Sequence, residues 1–272
     1  MTNAAMTPVR EGHELIASDA SSRAPEPTPA GGVTPAIVFN PDTRQRVTPT
    51  TEFPWKAMGQ LLMKFPNGQT YSGTGVLVDK QHVLTAAHNL FGNDIGGWAT
   101  EVWFIPARDG DARPYGSLPA QNIFVTEEYR TLSPADPNAT PTGTVTDYTQ
   151  YTEDYGLVRL REPVELPIFG MYAASNQQLR APARITGYPG DKPAGTMWTD
   201  EKSLNNADDH FLFYKINTYK GQSGAAIIED LGLPVGKTIV GVHVAGSTKL
   251  DINFGVRLDE DKLAQIRDWM QS

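Results

Sequence analysis

Three residues of this 272-residue chain, if brought together, would make an acyl-transfer centre: His88, Asp154 and Ser223. Ser223 stands in Gly221-Gln222-Ser223-Gly224, a hydroxyl flanked by glycines. Such a backbone can turn sharply, expose Oγ and leave N–H groups facing a developing oxyanion. A serine hydroxyl is a weak nucleophile at neutral pH and needs a base within hydrogen-bond reach. His88, directly after Val83-Leu-Thr-Ala-Ala87, is of the type that takes a proton and returns it. Asp154, just before Tyr155-Gly-Leu-Val-Arg-Leu160, is of the type that fixes the tautomer of that base and stabilises its cation. Singly, each has a plainer explanation: a turn, a structural histidine at a strand end, a carboxylate forming a turn. Their chain order, His88, Asp154, Ser223, matches one of three known orders for this constellation, and Ala225 departs from the Gly-x-Ser-x-Gly elbow of another.

Positioning these side chains falls to short β-prone segments punctuated by turns. They are Ala57–Phe65, Thr70–Val78, Val83–Ala87, Glu101–Ile105, Asn122–Val125, Gly156–Leu160, Ala183–Thr186, Phe211–Ile216, Thr238–Val244 and Phe254–Leu258. Many short strands at close spacing predict an all-β sandwich or barrels. One helix is expected at the C-terminus, with Asp259 as N-cap and Leu263, Ile266 and Met270 as an apolar stripe beside Trp269. Thr131–Thr149, with three prolines, reads as a surface loop. Residues 1–36, rich in proline, glycine and serine, read as a disordered leader or a propeptide.

A net charge of −8 provides no basic field for a polyanion, so neither nucleic acid nor an anionic membrane is an expected partner. The absence of cysteine excludes disulfides and thiolate chemistry. His88, His210 and His243 show no paired ligand spacing, so no metal and no cofactor is expected. No secretory signal is visible at the N-terminus, and no run has the length of a membrane span.

The blocks Thr85-Ala-Ala-His88, Asp154-Tyr-Gly-Leu-Val158 and Thr218-Tyr-Lys-Gly-Gln-Ser-Gly224 resemble the signatures of trypsin-like serine proteases. Arg46–Pro54, Pro114–Ser117, Gly187–Thr196 and Gly241-Val-His243 extend the likeness to the V8-like glutamyl endopeptidases, from about Ile37 to the C-terminus. That resemblance implies two six-stranded antiparallel β-barrels, chymotrypsin-like, over residues 37–165 and 166–272, with the C-terminal helix closing the second unit. It implies His88 and Asp154 from the first barrel, Ser223 from the second, and an oxyanion hole of the Gly221 and Ser223 N–H groups. It implies endopeptidase action on proteins or peptides after glutamate, less readily aspartate, read by Thr218 and by a protonated His243. It also implies a secreted, monomeric enzyme made as a zymogen, with cleavage near Ala36-Ile37-Val38.

The sequence departs from the family in three places. Gln222 replaces the aspartate that receives the new N-terminus in digestive zymogens, so activation through that ion pair is closed to this chain. Asn89 and Ser72 stand where a disulfide is often found. Val244–Lys249 differs from the usual pocket wall, which keeps a different P1 preference open. A non-catalytic homologue acting as a binding module is the reading from another class; the filled triad positions argue against it.

Overall fold

A computed structural model describes residues 2–6, 33–34, 36–132 and 148–272. Most of the leader and most of the Thr131–Thr149 loop lie outside the described residues. Six strands build the first unit: β1 (Met58–Lys64), β2 (Thr70–Leu77), β3 (His82–Thr85), β4 (Glu101–Pro106), β5 (Leu118–Val125) and β6 (Gly156–Leu160). They pair antiparallel in the order β5-β6-β3-β2-β1-β4, and β4 pairs back onto β5, which closes the ring. Closure at Leu118 and Pro119 covers part of the edge that an open sheet would expose.

The second unit comprises β7 (Ala183–Gly187), β8 (Trp198–Lys202), β9 (Leu204–Ala207), β10 (Phe211–Tyr214), β11 (Ala226–Asp230), β12 (Lys237–Ser247) and β13 (Ile252–Arg257). Its order is β9-β10-β13-β12-β11-β7-β8. Only Ser203 separates β8 from β9, so one run of chain pairs with β7 at one end and β10 at the other. Counting β8 and β9 as one bent strand gives the expected second set of six. Short edge strands add to both units: Asn3–Ala5 on β5, Gln45–Arg46 on β8, and Val33–Thr34 on Gly246–Ser247 of β12.

Two-residue periodicity explains how the units join. In β3, Val83 faces the first barrel's interior with Leu61 and Phe104, while its neighbour Leu84 joins a second core. In β6, Val158 and Leu157 divide the same way. That second core also takes Tyr188, Val242 and Phe254, so it is the seam between the barrels. The interior of the second unit is built from Ile185, Leu212, Tyr214 and Ile227.

The C-terminal helix α2 (Glu260–Gln271) begins as expected, with the Asp259 carboxylate accepting from the Lys262 N–H at 2.8 Å. It buries Leu263, Ile266 and Trp269, and Met270 only partly. Trp269 stacks on Phe124 of β5, so the end of the chain returns to the first barrel. A short helix α1 (Glu127–Leu132) was not expected, nor were β8, β9 and β11. No helix among the described residues is long and apolar enough to cross a membrane.

Glu229 of β11 is 1% exposed, and neither carboxylate oxygen has a hydrogen-bond partner among the described residues. Burial pushes its pKa from the ordinary 4.5 up to about 7. The folded chain therefore holds this proton more tightly than the unfolded chain. Its contribution to stability is full below about pH 4.5 and is lost as pH rises through about 7. Glu229→Gln should raise the melting temperature at pH 8 and leave it nearly unchanged at pH 4; an equal shift at both values would contradict this origin.

Candidate active site

Asp154 is 0% exposed and precedes β6. Its two oxygens meet one residue: Oδ1 accepts the His88 backbone N–H at 2.9 Å, and Oδ2 lies 2.7 Å from His88 Nδ1. A buried carboxylate so placed orients the ring and favours hydrogen on Nδ1, leaving Nε2 as the basic nitrogen. His88 sits in the 3-10 turn Ala87–Asn89 that ends β3, so both residues come from the first barrel.

Ser223 comes from the second unit, in the turn before β11, and is also buried. Thr74 of β2 clamps this turn twice. Its N–H donates to the Ser223 carbonyl at 2.9 Å, and its hydroxyl donates to the Gly221 carbonyl at 2.8 Å. The Gln222 N–H is bonded to the Tyr219 carbonyl and the Gly224 N–H to the His243 carbonyl. Among the described residues the N–H groups of Gly221 and Ser223, between them, find no acceptor. Gly221 (φ 97°) and Gly224 (φ 86°) hold the left-handed conformation that glycine tolerates. A Cβ on Gly221 would stand 2.4 Å from the Tyr188 carbonyl oxygen, and one on Gly224 2.1 Å from Thr85 Oγ1.

His243 lies beside this turn on β12, and its N–H donates to the Ala225 carbonyl at 2.9 Å. It is 0% exposed, and the Tyr214 hydroxyl is 2.7 Å from its Nδ1. Burial first, then the nearby charge of His88, pushes its pKa down to about 3. Burial thus favours the neutral ring of His243, against the expectation of a protonated imidazole, because taking the ring wholly out of water disfavours the cation. Tyr214, whose own proton is held well above the ordinary phenol range by burial, is placed to donate to Nδ1, the arrangement in which the ring hydrogen sits on Nε2. That Nε2 and Thr218 Oγ1 are both buried without a hydrogen-bond partner among the described residues. Tyr214 was legible in the sequence only as one residue of an apolar strand.

The extended segment after the leader runs under this region. Ile37 N–H donates to Asn253 Oδ1 at 2.8 Å, its carbonyl takes the Thr218 N–H at 3.3 Å, and Phe39 N–H reaches Asn217 Oδ1. Asn217 also donates to Thr43 Oγ1 at 3.0 Å, so its side chain is committed to this segment.

A trypsin-like peptidase domain matches residues 73–236, and the chain belongs to the trypsin-like peptidases. Within that family it is similar to the glutamyl endopeptidase group, and it is a serine endopeptidase. It is 30% identical over 240 residues to the extracellular metalloprotease of Bacillus subtilis, covering 86% of this chain and 70% of that protein. It is 28% identical over 241 residues to the glutamyl endopeptidase of Bacillus licheniformis, covering 86% and 69%. A solved structure of a Glu endopeptidase in complex with MPD has the same fold, with TM-score 0.71, 21% identity and coverage of 87% of this chain and 100% of that one. Among the described residues no group of three or more His, Cys, Asp or Glu side chains could hold a metal ion, so these residues do not fit a metal centre.

Nitrogen NMR of His243 should show a neutral ring with hydrogen on Nε2 throughout pH 5–8 in the free enzyme. A midpoint near 6.5 would contradict the burial argument.

Proposed function

We propose that this peptidase cleaves protein and peptide chains after acidic residues, glutamate more readily than aspartate, through an acyl-enzyme. Ser223 Oγ attacks the scissile carbonyl as His88 Nε2 takes its proton, and Asp154 stabilises the resulting imidazolium. The carbonyl π electrons move to oxygen, where the free N–H groups of Gly221 and Ser223 receive the charge. Collapse breaks the C–N bond, and the amine leaves with the proton from His88. Water, deprotonated by His88, then attacks the ester carbon; the acyl C–Oγ bond breaks, His88 returns the proton to Ser223 Oγ, and the acid product leaves.

One observation carries the acidic preference: Thr218 Oγ1 and His243 Nε2, from the residues flanking the nucleophile turn, are both buried without a hydrogen-bond partner among the described residues. A buried donor left without a partner costs about 1–3 kcal/mol. A carboxylate of the substrate relieves both at once, because it is acceptor-only and has two oxygens. Recognition by a neutral Nε2–H does not require His243 to be charged, so no alkaline loss of binding through His243 is expected. A P1 arginine or lysine has no counter-charge at Asn217, whose amide is engaged with Phe39 and Thr43.

The enzyme on this reading works as an exported monomer, and cleavage near Ala36-Ile37-Val38 matures it. The anchoring of Ile37 by Asn253 and Thr218 supports that site, since the new terminus would already be held beside the specificity groups.

A peptide panel varied only at P1, assayed on wild type, Thr218→Val and Ser223→Ala, tests the proposal. Wild type should cut the Glu peptide fastest. Thr218→Val should lose about ten- to hundredfold in kcat/KM for Glu, as for a hydrogen bond to a charged group, with little change for Ala. Ser223→Ala should abolish measurable turnover. Equal rates for Ala, Phe and Glu in wild type would defeat the specificity reading, and activity in Ser223→Ala would defeat the triad.

A further inference from the structure

We propose that Asn89 is a positioning residue that sets the nucleophile relative to the base across the seam between the barrels; this rests on the reading of Ser223 as nucleophile. Asn89 follows His88 in the same 3-10 turn, and its side chain is fully buried. Its Nδ2 donates to the Ser223 main-chain carbonyl at 2.9 Å and to Thr85 Oγ1 at 2.9 Å. Both neighbours require a donor there. The Ser223 carbonyl can only accept, and the Thr85 hydroxyl spends its hydrogen on the Thr74 carbonyl at 2.8 Å. The amide orientation is thus dictated by its surroundings.

Space for this amide comes from Gly73 of β2, where a Cβ would stand 2.6 Å from Asn89 Nδ2. The peptide unit between Ser223 and Gly224 is then held at three points. Its carbonyl takes the Thr74 N–H and the Asn89 amide, and its N–H goes to the His243 carbonyl. Rotation of that unit would change ψ at Ser223, and with it the directions of Oγ and of the Ser223 N–H. The base and the nucleophile are therefore linked through one side chain adjacent to the base. A covalent cross-link between positions 72 and 89 would tie β2 to the base turn within one barrel, whereas Asn89 reaches the other.

Asn89→Ala and the nearly isosteric Asn89→Asp, each lacking the amide donor, test this. A misplaced reacting group costs about a hundredfold at an ångström, so kcat on the Glu peptide should fall about ten- to hundredfold. KM should stay within about twofold, and the rate of Ser223 labelling by a fluorophosphonate should fall in parallel with kcat. A folded variant with wild-type kcat and labelling rate, even one with a lowered melting temperature, would overturn the proposal and leave a structural role. Failure of both variants to fold would overturn it too, because positioning requires a folded but slow enzyme. Wild-type protein that does not label at Ser223 would signal failure of the nucleophile assignment itself, a separate result.

Discussion

Asp154 is a carboxylate removed wholly from water, and the active centre is arranged around meeting that condition. Leaving a buried charge unpaired costs about 3–5 kcal/mol. Both oxygens find their donors on His88, one on the main chain and one on the ring. The turn at the end of β3 is thereby fixed to the segment before β6, and ring orientation follows from folding itself. Helix α2 packs Trp269 against Tyr155, directly after the aspartate, and covers this part of the first barrel.

His88, fixed in one barrel, can serve Ser223 as a base only if the other barrel is held in register with it. The apolar seam supplies cohesion, since alternate residues of β3 and β6 belong to it. Cohesion of that kind is non-directional. Direction comes from the polar contacts of Thr74 with the carbonyls of Gly221 and Ser223, which set the turn carrying the two free N–H groups. His243 of β12 is bonded to this turn through the Ala225 carbonyl and the Gly224 N–H, and Thr218 lies in the same loop, five residues before Ser223.

Much of this was legible in the sequence, and the exceptions have physical causes. Gly156–Leu160 read as a strand from its apolar letters and is one to the residue. His88, Asp154 and Ser223 stood out because residue type and order both point to one chemistry. By contrast, Trp198–Ala207 escaped notice because Thr199, Asp200, Glu201 and Lys202 give no apolar alternation. Asp200 is nevertheless buried, since it accepts from the Thr43 hydroxyl and the Asn217 N–H. Ala226–Asp230 is too short and too continuous a run for period to declare. That burial disfavours the His243 cation was not legible in the sequence, because burial to 0% and the Tyr214 hydroxyl are tertiary facts. Asn89 read merely as the loss of a cystine, although its amide spans the seam.

The central claim joins a triad to a reader of acidic side chains, and one measurement addresses both. A defined protein mixture is digested with the enzyme and every new terminus is read by mass spectrometry. The account predicts cleavage dominated by bonds after glutamate, with fewer after aspartate. Cleavage concentrated after lysine, arginine or aromatic residues, or indifferent to the preceding side chain, would contradict it.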